Sequence, residues 1–248
     1  MLENKKILVT GANSGIGLAI TRSLITLGAH VIAIVRNIES SNIKKLNDIK
    51  SEAKNSLRIE AINLENDDEI KTNLTNLLKD YQEIHGLINN AGHIFNGLVQ
   101  MTPRSEFSKM LDINFFAPLA LTQIIIKKMI RNKNGSIVNI SSTSSEDCPV
   151  GRAAYSSSKI ALEAMTKTLA YELGRYNIRA NCILPGLTNT KLMKENTNET
   201  VLNETLKNIA LGRIAEPEEI ANLVCFLCSS KASYITAQSI RVDGGLRV

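Results

Sequence analysis

Short apolar runs alternate with longer stretches of helical periodicity from one end of the chain to the other. Lys6–Thr10 is the first β-rich run. In 15–27, Ile16, Ala19, Ile20, Leu24 and Leu27 recur three or four apart, the spacing that lines one face of a helix. Gly28 ends that helix, as glycine commonly does just past a C-terminus. His30–Val35 is almost wholly apolar, which suits a parallel strand covered on both faces. Residues 57–64, Gly86–Asn89, 136–141, 178–184 and Ser239–Val242 read as further strands, and 42–54, 67–81, 104–131 and 153–176 as helices. Strict alternation predicts right-handed βαβ units. The fold class is therefore α/β, one doubly wound parallel sheet with helices on both faces, spanning 1–248 as a single domain. The polar stretch 191–204, rich in Asn, Thr and Glu, reads as an inserted, mobile segment over the substrate site.

Composition narrows the class. With 248 residues, 44% of them hydrophobic, the chain buries a large core without disulfide staples. The net charge is +5, but Lys and Arg are interleaved with Asp and Glu. The densest basic cluster, Lys127, Lys128, Arg131 and Lys133, is too short for a basic arm. No nucleic-acid partner is expected. Cys225 and Cys228 form a C-x-x-C inside an apolar helical stretch with no second ligand pair, so core packing is expected there and no metal site. The first apolar run enters a glycine loop at Gly11, too early for a secretory leader, and no apolar run reaches the roughly 18 residues of a membrane helix. A cytoplasmic protein with no membrane partner is expected.

Thr10-Gly11-Ala12-Asn13-Ser14-Gly15-Ile16-Gly17 joins the first strand to the first helix. Glycines let the backbone approach a pyrophosphate, and the helix N-terminus beyond offers free N–H groups and a partial positive charge. The spacing is not G-x-x-x-x-G-K-[ST], which argues against kinase or ATPase chemistry. The end of the second strand points to the nucleotide. NAD-binding folds place an acidic residue there for the ribose hydroxyls. Here Val35 is followed by Arg36, a guanidinium able to hold a 2′-phosphate through paired hydrogen bonds. NADPH/NADP+ is expected in preference to NADH.

Tyr155 and Lys159 lie four apart, on one helix face. An ammonium beside the phenol would favour phenolate and bring its pKa from near 10 toward working pH. A lone Y-x-x-x-K is common. Ser142, at the end of a predicted strand, places a hydroxyl at the carboxyl edge of the sheet where ligands bind. Asn89-Asn90-Ala91-Gly92 and Pro185-Gly186 end two more strands at that edge.

Taken in order and at their spacing, these motifs resemble the short-chain dehydrogenase/reductase family over nearly the full length. Thr10–Gly17 is similar to its T-G-x-x-x-G-x-G loop, Asn89-Asn90-Ala91-Gly92 to its N-N-A-G, and Ser142 stands thirteen residues before Tyr155. Asn114 falls at the fourth catalytic position, and 185–190 resembles the segment closing over a nicotinamide. The resemblance implies a Rossmann-type dinucleotide-binding and catalytic domain. In it Tyr155 exchanges a proton with the carbonyl oxygen, and Lys159 binds the nicotinamide ribose and depresses the Tyr155 pKa. Ser142 orients the substrate oxygen, and Asn114 holds a water relaying protons to Lys159. The cofactor contacts implied are Gly11, Asn13, Ser14, Gly15, Ile16, Gly17, Arg36, Asn63, Leu64, Asn90, Gly92, Tyr155, Lys159, Pro185, Gly186, Thr188 and Thr190. Asn63-Leu64 stands where the family often has Asp-Val or Asp-Leu, and 143–154 lacks the small and amide residues of 3-oxoacyl-[acyl-carrier-protein] reductases, the subgroup most alike in appearance.

An NADPH-dependent reductase of that kind, acting on a small-molecule or carrier-protein-bound carbonyl, is the leading expectation. Lys127–Lys133 and Arg175 are its candidate carrier contacts. A short-chain reductase of another ketone, sugar, steroid or secondary-metabolite precursor is the alternative. A non-catalytic NADP-binding sensor belongs to another class; such proteins typically lose the Tyr or Lys retained here. A serine hydrolase is disfavoured because Gly11–Gly15 is not G-x-S-x-G and none of His30, His85 or His93 is identifiable as a base for Ser142. The family resemblance also implies a homotetramer built on 104–131 and 153–176, with a dimer as the runner-up.

Overall fold

The computed structural model describes residues 2–38, 43–53 and 56–247. Seven parallel strands run in the order β3-β2-β1-β4-β5-β6-β7: β1 Lys6–Thr10, β2 His30–Val35, β3 Leu57–Ala61, β4 Gly86–Asn89, β5 Gly135–Ile140, β6 Ile178–Pro185 and β7 Ser239–Val242. Ten helices connect or flank them among the described residues: α1 Gly15–Thr26, α2 Ile43–Glu52, α3 Asp67–Leu77, α4 Arg104–Leu111, α5 Ala117–Asn132, α6 Ser144–Asp147, α7 Ala153–Leu173, α8 Lys191–Asn196, α9 Glu199–Asn208 and α10 Pro217–Cys228.

The two-residue side-chain period of a strand divides the core. Ile7, Val9, Val31 and Ala33 face one side, packed against α1 and α10 through Ile20, Leu24, Ile220 and Val224. Leu8, Ile32, Leu87 and Ile137 face the other, against Leu74, Leu121, Ile125 and Leu169 of α3, α5 and α7. Because both faces are covered, the strands are continuous apolar runs. Successive strands step outward on one side of β1, then β4 crosses to the other. That reversal opens a crevice beyond the carboxyl ends of β1 and β4, where doubly wound sheets bind ligands.

Several boundaries differ from expectation for local reasons. The third strand stops at Ala61 rather than 64. The Asn66 side chain accepts from the Asp68 and Glu69 N–H groups, and the Glu69 carboxylate accepts from Asn63 N at 2.8 Å, so the chain is already turning into α3. The helix expected over 104–131 is one rod containing a π-turn at Asp112–Phe116. By length and composition Arg104–Asn132 is apolar enough to cross a bilayer, although charged residues interrupt its apolar runs; half of its most apolar stretch is buried within the fold. The stretch 191–204 folds into α8 and the first part of α9. Thr190 and Asn198 cap α8 and α9, accepting from Met193 N and Val201 N. Asn and Thr, common in mobile segments, here start helices. The helix ends expected at 42 and 54 lie outside the described residues. Cys225 is buried and Cys228 half-buried on α10, and burial pushes their thiols up to about 11 and about 12.

Candidate active site

A cleft of about 1020 Å³ lies over the carboxyl edge of the sheet. Its floor is the loop from β1 to α1, held by a small polar lock. Thr10 Oγ1 accepts from the Asn90 and Ala91 N–H groups at 3.0 and 2.9 Å, and Asn90 Nδ2 donates to the carbonyls of Thr10 and Gly11. Gly11, Asn13, Ser14, Gly15 and Ile16 line the cleft as expected, and so do Asn90 and Gly92. Gly17 does not. A Cβ on it would stand 2.1 Å from the Gly11 carbonyl oxygen, so its glycine serves the close packing of α1 under the loop. The N-terminus of α1 carries no acidic residue in its first turn, and the Ser14 side chain makes no capping bond. Unmatched N–H groups at a helix start suit a pyrophosphate. The residues present therefore fit a dinucleotide.

At the far end of this half of the cleft, Arg36 and Leu64 line the wall, but Asn63 does not. Its Oδ1 accepts from Glu65 N at 3.1 Å, which commits that oxygen to the loop after β3. Glu65, which the sequence reading missed, pairs with Arg36 at 2.9 Å. Pro185, Gly186, Thr188 and Thr190 line the opposite wall, with Thr188 Oγ1 donating to Gly186 O at 3.1 Å.

Ser142, Tyr155 and Lys159 converge in the cleft. Ser142 lies two residues past the end of β5, and its Oγ accepts from Ser144 N at 3.1 Å, which orients the hydroxyl. The Tyr155 hydroxyl hydrogen-bonds Ser142. Lys159, one helical turn on, is buried; its Nζ donates to Ile140 O at 2.8 Å and lies 5.7 Å from the Tyr155 ring centroid. Burial lowers the Lys159 ammonium to about 8, opposed by Cys182 and Glu163.

The phenol departs from expectation. Burial holds Tyr155 above its ordinary value, opposed by the Ser142 hydrogen bond and by Arg152. The cation opposing it is Arg152, although Lys159 stands as close to the ring. That amine is turned to Ile140 O, while the Arg152 guanidinium carbon sits 5.9 Å from the Tyr155 ring centroid. Arg152 was missed by the sequence reading because a lone arginine before a helix carries no spacing signal.

Asn114 is held by its neighbours. It is fully buried in the π-turn and does not line the cleft. Its Nδ2 donates to His93 O and Ser158 Oγ, both at 2.9 Å, and its Oδ1 accepts from His93 N at 2.8 Å. With its carboxamide donors and acceptor engaged, the side chain staples the 92–93 segment to α7. A Cβ on Gly92 would lie 3.3 Å from Asn114 Oδ1 and 3.6 Å from Lys159 Nζ, so the bare backbone at Gly92 lies between them. Further back, Glu163 is buried and accepts from Ser141 Oγ at 2.7 Å and Ser239 Oγ at 2.9 Å, one turn beyond Lys159.

Comparison with known proteins agrees with this architecture. Residues 11–247 match a family profile described as enoyl-(acyl carrier protein) reductase. The 3-oxoacyl-[acyl-carrier-protein] reductase FabG of Rickettsia felis is 39% identical over 99% of this chain and 98% of its own length. The protein of the same name from Thermotoga maritima is 36% identical over the same shares. A short-chain type dehydrogenase/reductase from Mycobacterium ulcerans superposes with a TM-score of 0.92 at 29% identity, over 98% of this chain and 90% of that one.

Proposed function

Since the chain belongs to the short-chain dehydrogenase/reductase family of NAD(P)-dependent oxidoreductases, we propose that it uses NADPH to reduce a 3-oxoacyl-type carbonyl to the alcohol. The observation that carries this reading is the meeting of Ser142, Tyr155 and Lys159 in the same cleft as the glycine loop. The nicotinamide, when bound, supplies the hydride. Ser142 donates to the carbonyl oxygen and holds it beside Tyr155. The Tyr155 hydroxyl then gives its proton to that oxygen as negative charge develops on it. A phenol held above its ordinary pKa is the protonated acid that reduction requires. Lys159 presents an ammonium or amine to the ribose side of the site, and Arg36 meets the 2′-phosphate. The curated relatives of shared length favour a 3-oxoacyl substrate.

A carrier-protein substrate would meet Lys127, Arg131 and Lys133, which are exposed; Lys128 is half-buried and its ammonium is given to Tyr81 O. We also propose a homotetramer, with a dimer as the runner-up. Phe116 at the π-turn, Ile160 and Tyr171 on α7 leave large apolar surface at 45%, 45% and 80% exposure. Sedimentation tests the assembly. Absorbance of NADPH followed across acetoacetyl thioesters, diketones and sugars tests the reaction. Turnover surviving in Tyr155→Phe would refute the assignment.

A further inference from the structure

A cation stands in the substrate half of the cleft without a counter-charge. The chain turns at Gly151 (φ 79°), whose carbonyl accepts from Gly97 N at 2.9 Å, and Arg152 follows as the N-cap residue just before α7. The Arg152 guanidinium carbon lies 5.9 Å from the centroid of the Tyr155 ring, and the residue lines the cleft beside Tyr155. It is half-buried, and no described Asp or Glu forms an ion pair with it. The other arginines lining the cleft differ. Arg36 has Glu65, and Arg247 is exposed to solvent. Asp147 also lines the cleft, but both its oxygens are taken by Arg241.

A guanidinium withdrawn from water without a partner is unfavourable, and burial weakens the hold of Arg152 on its proton. The first turn of α7 offers no acidic side chain to compensate. Guanidinium matches a carboxylate in a planar, two-pronged pairing that a neutral ketone or ester cannot supply. We infer that Arg152 receives a carboxylate on the substrate, so that the favoured substrates are short oxo acids whose carboxylate lies a few bonds from the carbonyl held by Ser142 and Tyr155. The short separation follows from both groups flanking one tyrosine ring. This rests on the reductase reading above and names the free acid as the substrate form in place of a neutral thioester.

The test compares acetoacetate with methyl acetoacetate and a neutral acetoacetyl thioester, following NADPH absorbance with the full chain, Arg152→Gln and Arg152→Lys. The wild type is expected to favour the acid in kcat/KM. In Arg152→Gln the acid-to-ester ratio should fall about 10- to 100-fold, the range of one charge-assisted hydrogen-bonded pair, through KM for the acid. Arg152→Lys should recover part of it. A ratio unchanged by Arg152→Gln, or a wild type that prefers the neutral ester or thioester, overturns the inference; both leave the reductase reading standing. If the wild type reduces none of the three, the reductase reading fails. Calorimetric titration of the NADP+-loaded protein with acetoacetate then decides the subsite: binding lost in Arg152→Gln supports it, and no binding by the wild type overturns it.

Discussion

The Arg36 guanidinium lies 2.9 Å from the Glu65 carboxylate, so the residue expected to hold a 2′-phosphate already carries an anion of the protein's own. Both side chains are largely open to water, at 68% and 36% exposure. Such pairs contribute only about 0.2–1 kcal/mol, so a phosphate can displace the carboxylate readily, yet Glu65 remains a like charge beside it. Glu65→Gln is expected to lower KM for NADPH by about two- to fivefold, the scale of one exposed pair, with little change for NADH. Arg36→Leu should move the KM ratio the other way. If both variants keep the wild-type ratio, these side chains do not choose the cofactor.

Removing the Tyr155 hydroxyl should leave the cleft intact but take away the proton donor. Tyr155→Phe is expected to lower kcat at least about 100-fold, the usual contribution of a positioned acid. NADPH fluorescence should still report binding near the wild-type affinity. Equal loss of binding and turnover would make Tyr155 a cofactor ligand and no acid.

Lys159 gives a pH signature in stability. Its folded value is about 8 against an ordinary 10.5. Between those values the unfolded chain binds more protons than the folded one, so stability rises with pH across that window, and the full penalty is present below about 8. Measured against Lys159→Met, the wild-type Tm should gain as pH goes from about 8 to 10, inside that window. A constant difference between the two proteins would mean the amine titrates normally.

Gly17 tests the packing beneath the nucleotide loop. An alanine Cβ there would stand 2.1 Å from Gly11 O and 2.5 Å from Asn90 Nδ2. The loop and α1 must separate, an overpacking strain of about 1–3 kcal/mol. Gly17→Ala should lower Tm by several degrees and weaken NADPH binding, because the Asn90 lock on the Thr10 and Gly11 carbonyls is displaced. A variant with wild-type Tm and affinity would show that the loop has slack.

Much of this was legible before any coordinates. Apolar runs such as His30–Val35 could only be strands covered on both faces, because a chain with that pattern has no other way to remove both edges of its side-chain ladder from water. The Tyr155–Lys159 spacing put both groups on one face of α7, and the strand ends put Asn90, Ser142 and Pro185 at one edge. Those are local periodicities, and local geometry obeys them. The tertiary structure decided matters that depend on what arrives from elsewhere in the chain. Asn63 turned to Glu65, and Asn114 to His93 and Ser158, because the fold brought backbone and hydroxyl partners to each carboxamide. Glu65 reached Arg36 from the next strand's turn, and Arg152 joined Lys159 beside the Tyr155 ring. Charge and hydrogen bonding act through space over a few ångströms. The sequence orders residues only along the chain, and which charges become neighbours is known once the chain has folded.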